Sequence, residues 1–294
     1  MAALIPRKPD GSASKDDLAE TSQALFCALA DYSGVNDVDK WFNTTTVKDK
    51  SSPFNTFGGF KAKWNANFGP KGASVKQVFD NKVTSGKAKY EQIDEFLTEK
   101  QEWYVSSVLI ANALIKDTSN LGKMHSKIKG LGWKSIFYEH KNITMENIEK
   151  LFTMANNKQK KNPDAQTKKT FIPFGDINKW CPADIYFSSD KAESKIAAAT
   201  SKDTITFIEL NSMLGDLIDS GDLLPLSLKK QTSSVTIKKI NFDRTKEWKE
   251  LEKIGGGKVE WTKFPTNMSK LPSNPPARDI KVFLRNTNSE QDKI

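Results

Sequence analysis

Two cysteines and two histidines are all that 294 residues contain. Cys27 and Cys181 are too few for a disulfide framework or a cysteine-based zinc site. His125 and His140 stand fifteen residues apart with no cysteine or acid at ligand spacing, so a histidine zinc site is not expected either. Both thiols are expected to serve as small buried hydrophobes in a reducing cytoplasm. Long apolar runs are missing too, and no stretch approaches the roughly 18 residues that a membrane-spanning helix needs. The opening residues MAALIPRKPDGSASKDD pass quickly into charge and lack the apolar core of a secretory signal. The triplet Gly255-Gly256-Gly257 has no following Gly-Lys-Ser/Thr, which excludes a phosphate-binding P-loop, and no Gly-x-Ser-x-Gly elbow occurs.

What is present is aromatic and basic. Seventeen Phe and seven Trp, with 37% hydrophobic residues, are enough to build a core. Lys and Arg number 45 against 36 acids, a formal charge of +9, and nearly all of the basic residues are lysine. Such an excess bears on partners rather than on fold. Nucleic acid is the first partner it suggests, an anionic membrane surface the second and simple solubility the third. Lysine is a point charge suited to tracking phosphates more than reading bases.

Three zones follow one another. Residues 1–157 are expected to be mainly helical. Leu18, Leu25, Phe26 and Leu29 recur at helical spacing, as do Ile93, Phe96, Leu97, Trp103, Val108, Leu109 and Leu114 in one long pattern from Tyr90 to Lys116. Further helices are expected at Val75 to Phe79 and from Thr144, while Gly58-Gly59 and Gly69-Pro70 read as turns. Residues 158–170 form a basic linker or loop with no large apolar residue. Residues 171–294 are expected to be mixed α/β: strands at FIPF, ADIYF, LLPLSLKK, SSVTIKKINF, KVEWTKF and DIKVFLRN, a helix at Thr204 to Ile218, and a frayed tail NTNSEQDKI. The fold class is therefore α+β, a helical N-terminal region packed on a C-terminal mixed β-sheet.

Chemistry concentrates in PADIYF (182–187) and PLSLKK (225–230). Strand alternation places Asp184 and Tyr186 on one face of the first strand, and Ser227 and Lys229 on one face of the second. With the apolar faces turned to a core, Asp184, Ser227 and Lys229 converge on the other side. A carboxylate for a hard cation beside a lysine that orients water is equipment for metal-assisted phosphodiester hydrolysis. A second pattern interleaves Phe54, Phe57, Phe60, Trp64 and Phe68 with Lys61, Lys63 and Lys71, which suits base stacking beside phosphate contacts, and equally suits a core.

At Pro182-Ala183-Asp184 and Ser227-Leu228-Lys229 the chain resembles the PD-(D/E)XK nuclease superfamily. The resemblance covers about 50 residues. It implies a restriction-endonuclease-like strand pair with Mg²⁺ or Mn²⁺ as cofactor, Asp184 as metal ligand and Lys229 as the water-orienting group. It departs from the family where Ser227 stands in place of a second acid and where a helix separates the two strands. Glu209 on that helix, or Glu146 or Glu102 earlier in the chain, are the candidates for the remaining carboxylate. WCPADIY followed by PLSLKK also resembles uncharacterised proteins of large tailed phages, which implies a host-cytoplasmic or virion location.

The leading sequence reading is a metal-dependent endonuclease-like protein acting on DNA ahead of RNA. Asp184, Lys229, Ser227 and Glu209 form its catalytic set, and Asp184, Glu209 and Glu146 its metal set. Lys61, Lys63, Trp64, Lys230, Lys238 and Lys239 are the nucleic-acid contacts. The alternative is a non-enzymatic phage virion protein or nucleic-acid binder. No membrane partner is expected, and a homo-oligomer or phage assembly is the protein partner considered. From charge alone, affinity for duplex DNA is expected to fall tenfold or more between about 50 and 200 mM salt, as counterion release requires. An electrophoretic mobility or anisotropy titration checks this, and binding indifferent to salt, or absent at low salt, contradicts it.

Overall fold

The computed structural model describes residues 13–32, 34–83, 88–116, 132–138, 142–161, 177–180, 183–227, 230, 231, 233, 235, 237, 283–285 and 291–293. They fall into two compact units, residues 1–239 and 240–294. No described helix is long and apolar enough to cross a membrane.

The first unit is built around helix α1 (Lys15–Asp31), opened by a capping box in which Ser14 and Asp17 exchange hydrogen bonds at 3.1 and 2.8 Å. From Thr21 to Asp31 every residue is buried, so α1 is a core helix rather than an amphipathic surface one. The small side chains Ala24, Cys27, Ala28 and Ala30 let neighbours approach closely on all sides. Cys27 is fully buried as expected, and desolvation, with the nearby Asp31 charge, pushes its thiol pKa up to about 12. Cys181, His125, His140 and the Gly255–Gly257 triplet lie outside the described residues.

Short helix α2 (Val38–Trp41) leads to α3 (Phe57–Phe68), which spans Gly58 and Gly59, where a turn is expected from the sequence. The glycines instead form the first turn of α3, capped by the Thr56 hydroxyl, which accepts from Gly59 N at 3.1 Å. A side chain at Gly59 would collide with the Pro53 carbonyl oxygen, whereas Gly58 faces open space. The expected Gly69-Pro70 turn is present as a single 3₁₀ turn, closed by Gly72 at φ 73°. Helix α4 (Val75–Lys82) follows as the sequence predicts.

The long pattern from Tyr90 to Lys116 divides into α5 (Tyr90–Glu99) and α6 (Gln101–Lys116). After Ile93, Phe96 and Leu97 the next inward position of one continuous helix falls at Lys100. That residue is exposed and non-helical at φ −107°, ψ 69°. The chain bends there so that α6 can bury Tyr104, Val108, Leu109, Ile110 and Leu114 against α1.

Three short strands form an antiparallel sheet in the order β1-β2-β3: β1 (Ser135–Tyr138), β2 (Ile185–Ser188) and β3 (Leu223–Leu226). Every residue of β2 is buried, as a central strand covered on both faces must be. One face carries Phe137 and Tyr186, stacked at 5.5 Å. It packs into a cluster with Met145, Ile148 and Leu151 of α7 (Ile143–Lys161), Ile196 of α9 (Asp190–Ala199), and Leu210 and Leu214 of α10 (Phe207–Asp219). On the alternate face Phe187 meets Trp133 edge-on at 5.5 Å, and β1 also packs against α1 and α4. Between β1 and β2 lies the one-turn helix α8 (Ile177–Trp180), whose Trp180 packs on Phe152 and Phe207.

These findings agree with an α+β class and change its details. The described sheet is antiparallel rather than mixed; among the described residues the one parallel pairing is the isolated bridge Val83–Ile136. Strand β1 belongs to the region expected to be mainly helical, and α7 continues to Lys161, inside the expected linker. The core formed by α7 with β2, α9 and α10 therefore spans both sides of residues 158–170. In the second unit, β4 (Phe283–Arg285) pairs antiparallel with β5 (Gln291–Lys293), so the tail expected to fray contributes a strand. FIPF, KVEWTKF and the greater part of SSVTIKKINF lie outside the described residues.

The glycine pair of α3 gives a direct test of this packing. Gly59→Ala is expected to destabilise by about 1–3 kcal/mol through overpacking. Gly58→Ala is expected to stabilise by about 0.5–1 kcal/mol through helix propensity. Urea denaturation of the two variants, which differ by one position, should separate them in sign.

Candidate functional site at the β2–β3 strand end

Antiparallel pairing sets Ile185 against Leu226, Tyr186 against Pro225 and Phe187 against Leu224. Pro225 has no N–H to offer, and β3 is the last strand of the described ladder, an edge position where proline is tolerated. Continued by one residue, the same register brings Asp184 opposite Ser227. Asp184 N donates to Leu226 O at 2.8 Å, and the Ser227 hydroxyl donates to Asp184 Oδ2 at 2.9 Å. Asp184 is half-buried and Ser227 exposed. Two of the three residues expected to converge are thus brought together. The third, Lys229, lies outside the described residues, as do Leu228 and Pro182.

The face carrying Asp184 is not the one expected. Tyr186, which shares its alternation, is buried against Phe137 in the α7–α9–α10 cluster. Both faces of β2 are therefore covered, and Asp184 reaches solvent because it stands where the strand begins, not because its face is open.

Among the described residues, no three His, Cys, Asp or Glu side chains gather closely enough to hold a metal ion. Glu209 is the N3 residue of the α10 capping box: its Oε2 accepts from Thr206 N and Thr206 Oγ1, both at 2.7 Å. These bonds, the side-chain one first, hold the Glu209 carboxyl below its ordinary range, with Lys158 and Lys202 adding to them. A local capping role thus already accounts for this glutamate. Glu146 is exposed in the first turn of α7.

Glu102 has a different placement. Past Ser227 the chain comes back onto the start of α6, where Lys230 Nζ lies 3.5 Å from Glu102 Oε1 and 5.1 Å from the centre of the Trp103 ring. Gln231 N donates to Ser106 Oγ at 2.9 Å. Glu102 is lowered in pKa, by its own backbone N–H first and by Lys230 after it. Helix α6 thus holds the chain three residues beyond Ser227. Nothing in the sequence spacing signals this contact across more than 120 positions.

The aromatic-basic stretch resolves as core. Phe57, Phe60, Trp64 and Phe68 are buried on α3, and Trp64 donates through Nε1 to Ala73 O at 2.8 Å. Trp64 has no exposed ring face on which a base could stack, which corrects its assignment as a nucleic-acid contact. Lys61 pairs with Asp94 at 2.6 Å and lies 5.7 Å from the Phe57 ring centre, while Lys63 is exposed. Lys238 and Lys239 lie outside the described residues.

The opposite end of the sheet holds polar groups that sequence reading passed over. Ser135 and Ser188, a register pair, approach at 2.9 Å, and both hydroxyls donate to Glu193 Oε1. Asp222 accepts from Ser189 at 3.0 Å, and from Ser220 and Lys191 at 2.6 Å each. The sequence signal for this cluster is the Ser188-Ser189-Asp190 cap before α9, a helix start. Burial works to raise the Asp222 pKa, yet hydrogen bonds from Lys191, Ser220 and Ser189 outweigh it and hold the carboxyl below its usual value.

A depressed folded-state pKa means that Asp222 stabilises the fold above its unfolded-state value, near 3.9. That contribution is lost as pH falls through the lower folded-state value. Asp222→Asn is expected to cost about 1–2 kcal/mol at neutral pH. It should also flatten the acid limb of stability below about pH 4, which urea denaturation at pH 7 and pH 3 checks.

Comparison with models of protein families, with curated proteins and with solved structures gives no match to this chain.

Proposed function

We propose that this protein is a metal-dependent phosphodiester hydrolase of the PD-(D/E)XK type, acting on nucleic acid as an endonuclease, with DNA ahead of RNA. The observation that carries the reading is the β2–β3 register, which sets Asp184 opposite Ser227 at 2.9 Å at a strand end. Two residues further along the chain stands Lys229. Mg²⁺ in such sites takes one or two carboxylates and completes its shell with water and substrate phosphate, so the donor set needed from the protein is small. Asp184 would hold Mg²⁺ or Mn²⁺, with Glu102 or Glu146 as the remaining candidate acids, Glu209 being held in the α10 capping box. The cation would neutralise charge building on the phosphate. Lys229 would orient the attacking water, and its sequence neighbours Lys230 and Gln231 are held by α6. A net charge of +9 favours approach to a polyanion.

One observation favours a second reading. The Ser227 hydroxyl already occupies one oxygen of Asp184, as a simple strand-end clasp would. On that reading the protein is a non-enzymatic phage virion component or nucleic-acid binder, and loss of Asp184 or Lys229 leaves its assembly or binding intact.

Nicking of supercoiled DNA with Mg²⁺ or Mn²⁺ tests the first reading. Asp184→Asn and Lys229→Ala are each expected to reduce nicking about a hundredfold or more, the scale of losing one positioned electrostatic group. Lys76→Ala, which removes an exposed lysine paired with Asp80 and Glu91, should leave it unchanged. No cleavage by the wild type on any DNA or RNA substrate, or unfolding of the Asp184→Asn variant, would shift the balance to the second reading.

A further inference from the structure

Helices α9 and α10 meet in a shallow groove of about 580 Å³ whose walls carry opposite charge. Lys195 and Lys202 stand on the α9 side, and Glu209 and Asp216 on the α10 side, with Lys195 Nζ 4.0 Å from Asp216 Oδ2. The floor between them is apolar, from Ala198, Ala199 and Ile205 to Met213. Ile208 lies in this groove with 82% of its surface exposed. This β-branched side chain stands in the first turn of a well-capped helix and is not among the buried residues of α10. Its inward neighbours Leu210 and Leu214 already fill the core side of α10.

We infer that this groove is a self-association surface, occupied by the same groove of a second copy of the chain. The charge pattern selects that occupant. A twofold axis running along the groove turns the basic wall of one copy onto the acidic wall of the other. Lys195 and Lys202 then meet Glu209 and Asp216 twice over, as an isologous contact requires. Two chains of charge +9 repel one another overall, so a stable contact needs a patch that is locally neutral and self-complementary, and this one has two charges of each sign. A nucleic acid is disfavoured here because Glu209 and Asp216 would face its phosphates. The two copies of Ile208 supply the apolar anchors across the axis. The inference is independent of the proposed hydrolase activity.

Sedimentation velocity of the full chain, from about 1 to about 300 µM, tests it. The expected result is a concentration-dependent monomer–dimer equilibrium. Ile208→Lys acts at a solvent-exposed position and should leave the circular dichroism melt unchanged. Because the residue occurs twice in a twofold contact, it should raise the dimer dissociation constant by about a hundredfold. Lys195→Asp and Asp216→Lys should each weaken the dimer, and the double reversal should restore it. A monomer at every concentration overturns the inference. So does a dimer that Ile208→Lys leaves intact, which would place self-association on another face, and so does loss of DNA binding by Ile208→Lys with no change in association.

Discussion

Strand β2 imposes the constraint on which the first unit rests. It is four residues long, buried throughout and hydrogen-bonded on both edges, to β1 and to β3. A strand with no solvent face needs a layer on each side. Tyr186 accordingly stacks on Phe137 within the α7–α9–α10 cluster, while Phe187 meets Trp133 on the alternate face. Helix α1 fits the same logic. It is buried from Thr21 to Asp31, and its last carboxylate ties down the entry to β1 by accepting from the Gly132 and Trp133 N–H groups.

A doubly covered strand can show chemistry only at its ends. One end is closed by the Ser135, Ser188 and Glu193 hydroxyl–carboxylate knot and by Asp222 with its three donors. Those groups are consumed in holding strands and helix caps together. The other end carries Asp184 and Ser227, and there the chain leaves the sheet and is caught by Glu102, Trp103 and Ser106 of α6. Sheet register and helix anchor thus act on the same few residues from two directions.

Much of this was readable from residues alone, and the failures have physical causes. Strand β2 announced itself through its branched and aromatic run and β3 through its leucines, and alternation put Asp184 and Ser227 on faces that could converge; the register that pairs them is set by the fold. The burial of the Asp184 face did not show, because Tyr186 has a polar tip and an apolar body and reads as surface in a period-two pattern although it is buried. Helix α3 was hidden by Gly58-Gly59, a pair with poor helix propensity of which Gly59 alone is required, by the close approach of the Pro53 carbonyl. The Phe-Lys-Trp stretch illustrates a general ambiguity, since the spacing that would line a base-stacking groove is also the spacing of one helix face against a core. The capping role of Glu209 was visible as Thr206 three residues ahead of it. The contact of Lys230 with Glu102 was not visible at all, because tertiary folding alone creates it.

The proposed hydrolase activity requires the β2–β3 strand end to bind a divalent cation through Asp184. Titration of Mn²⁺ into the full-length protein, followed by electron paramagnetic resonance of the free ion, reads this without requiring turnover. A saturable site is expected in the wild type, with an affinity that falls tenfold or more in a folded Asp184→Asn variant. Equal Mn²⁺ binding by the two proteins, or none by either, would contradict it and leave Asp184 and Ser227 as a clasp between strands.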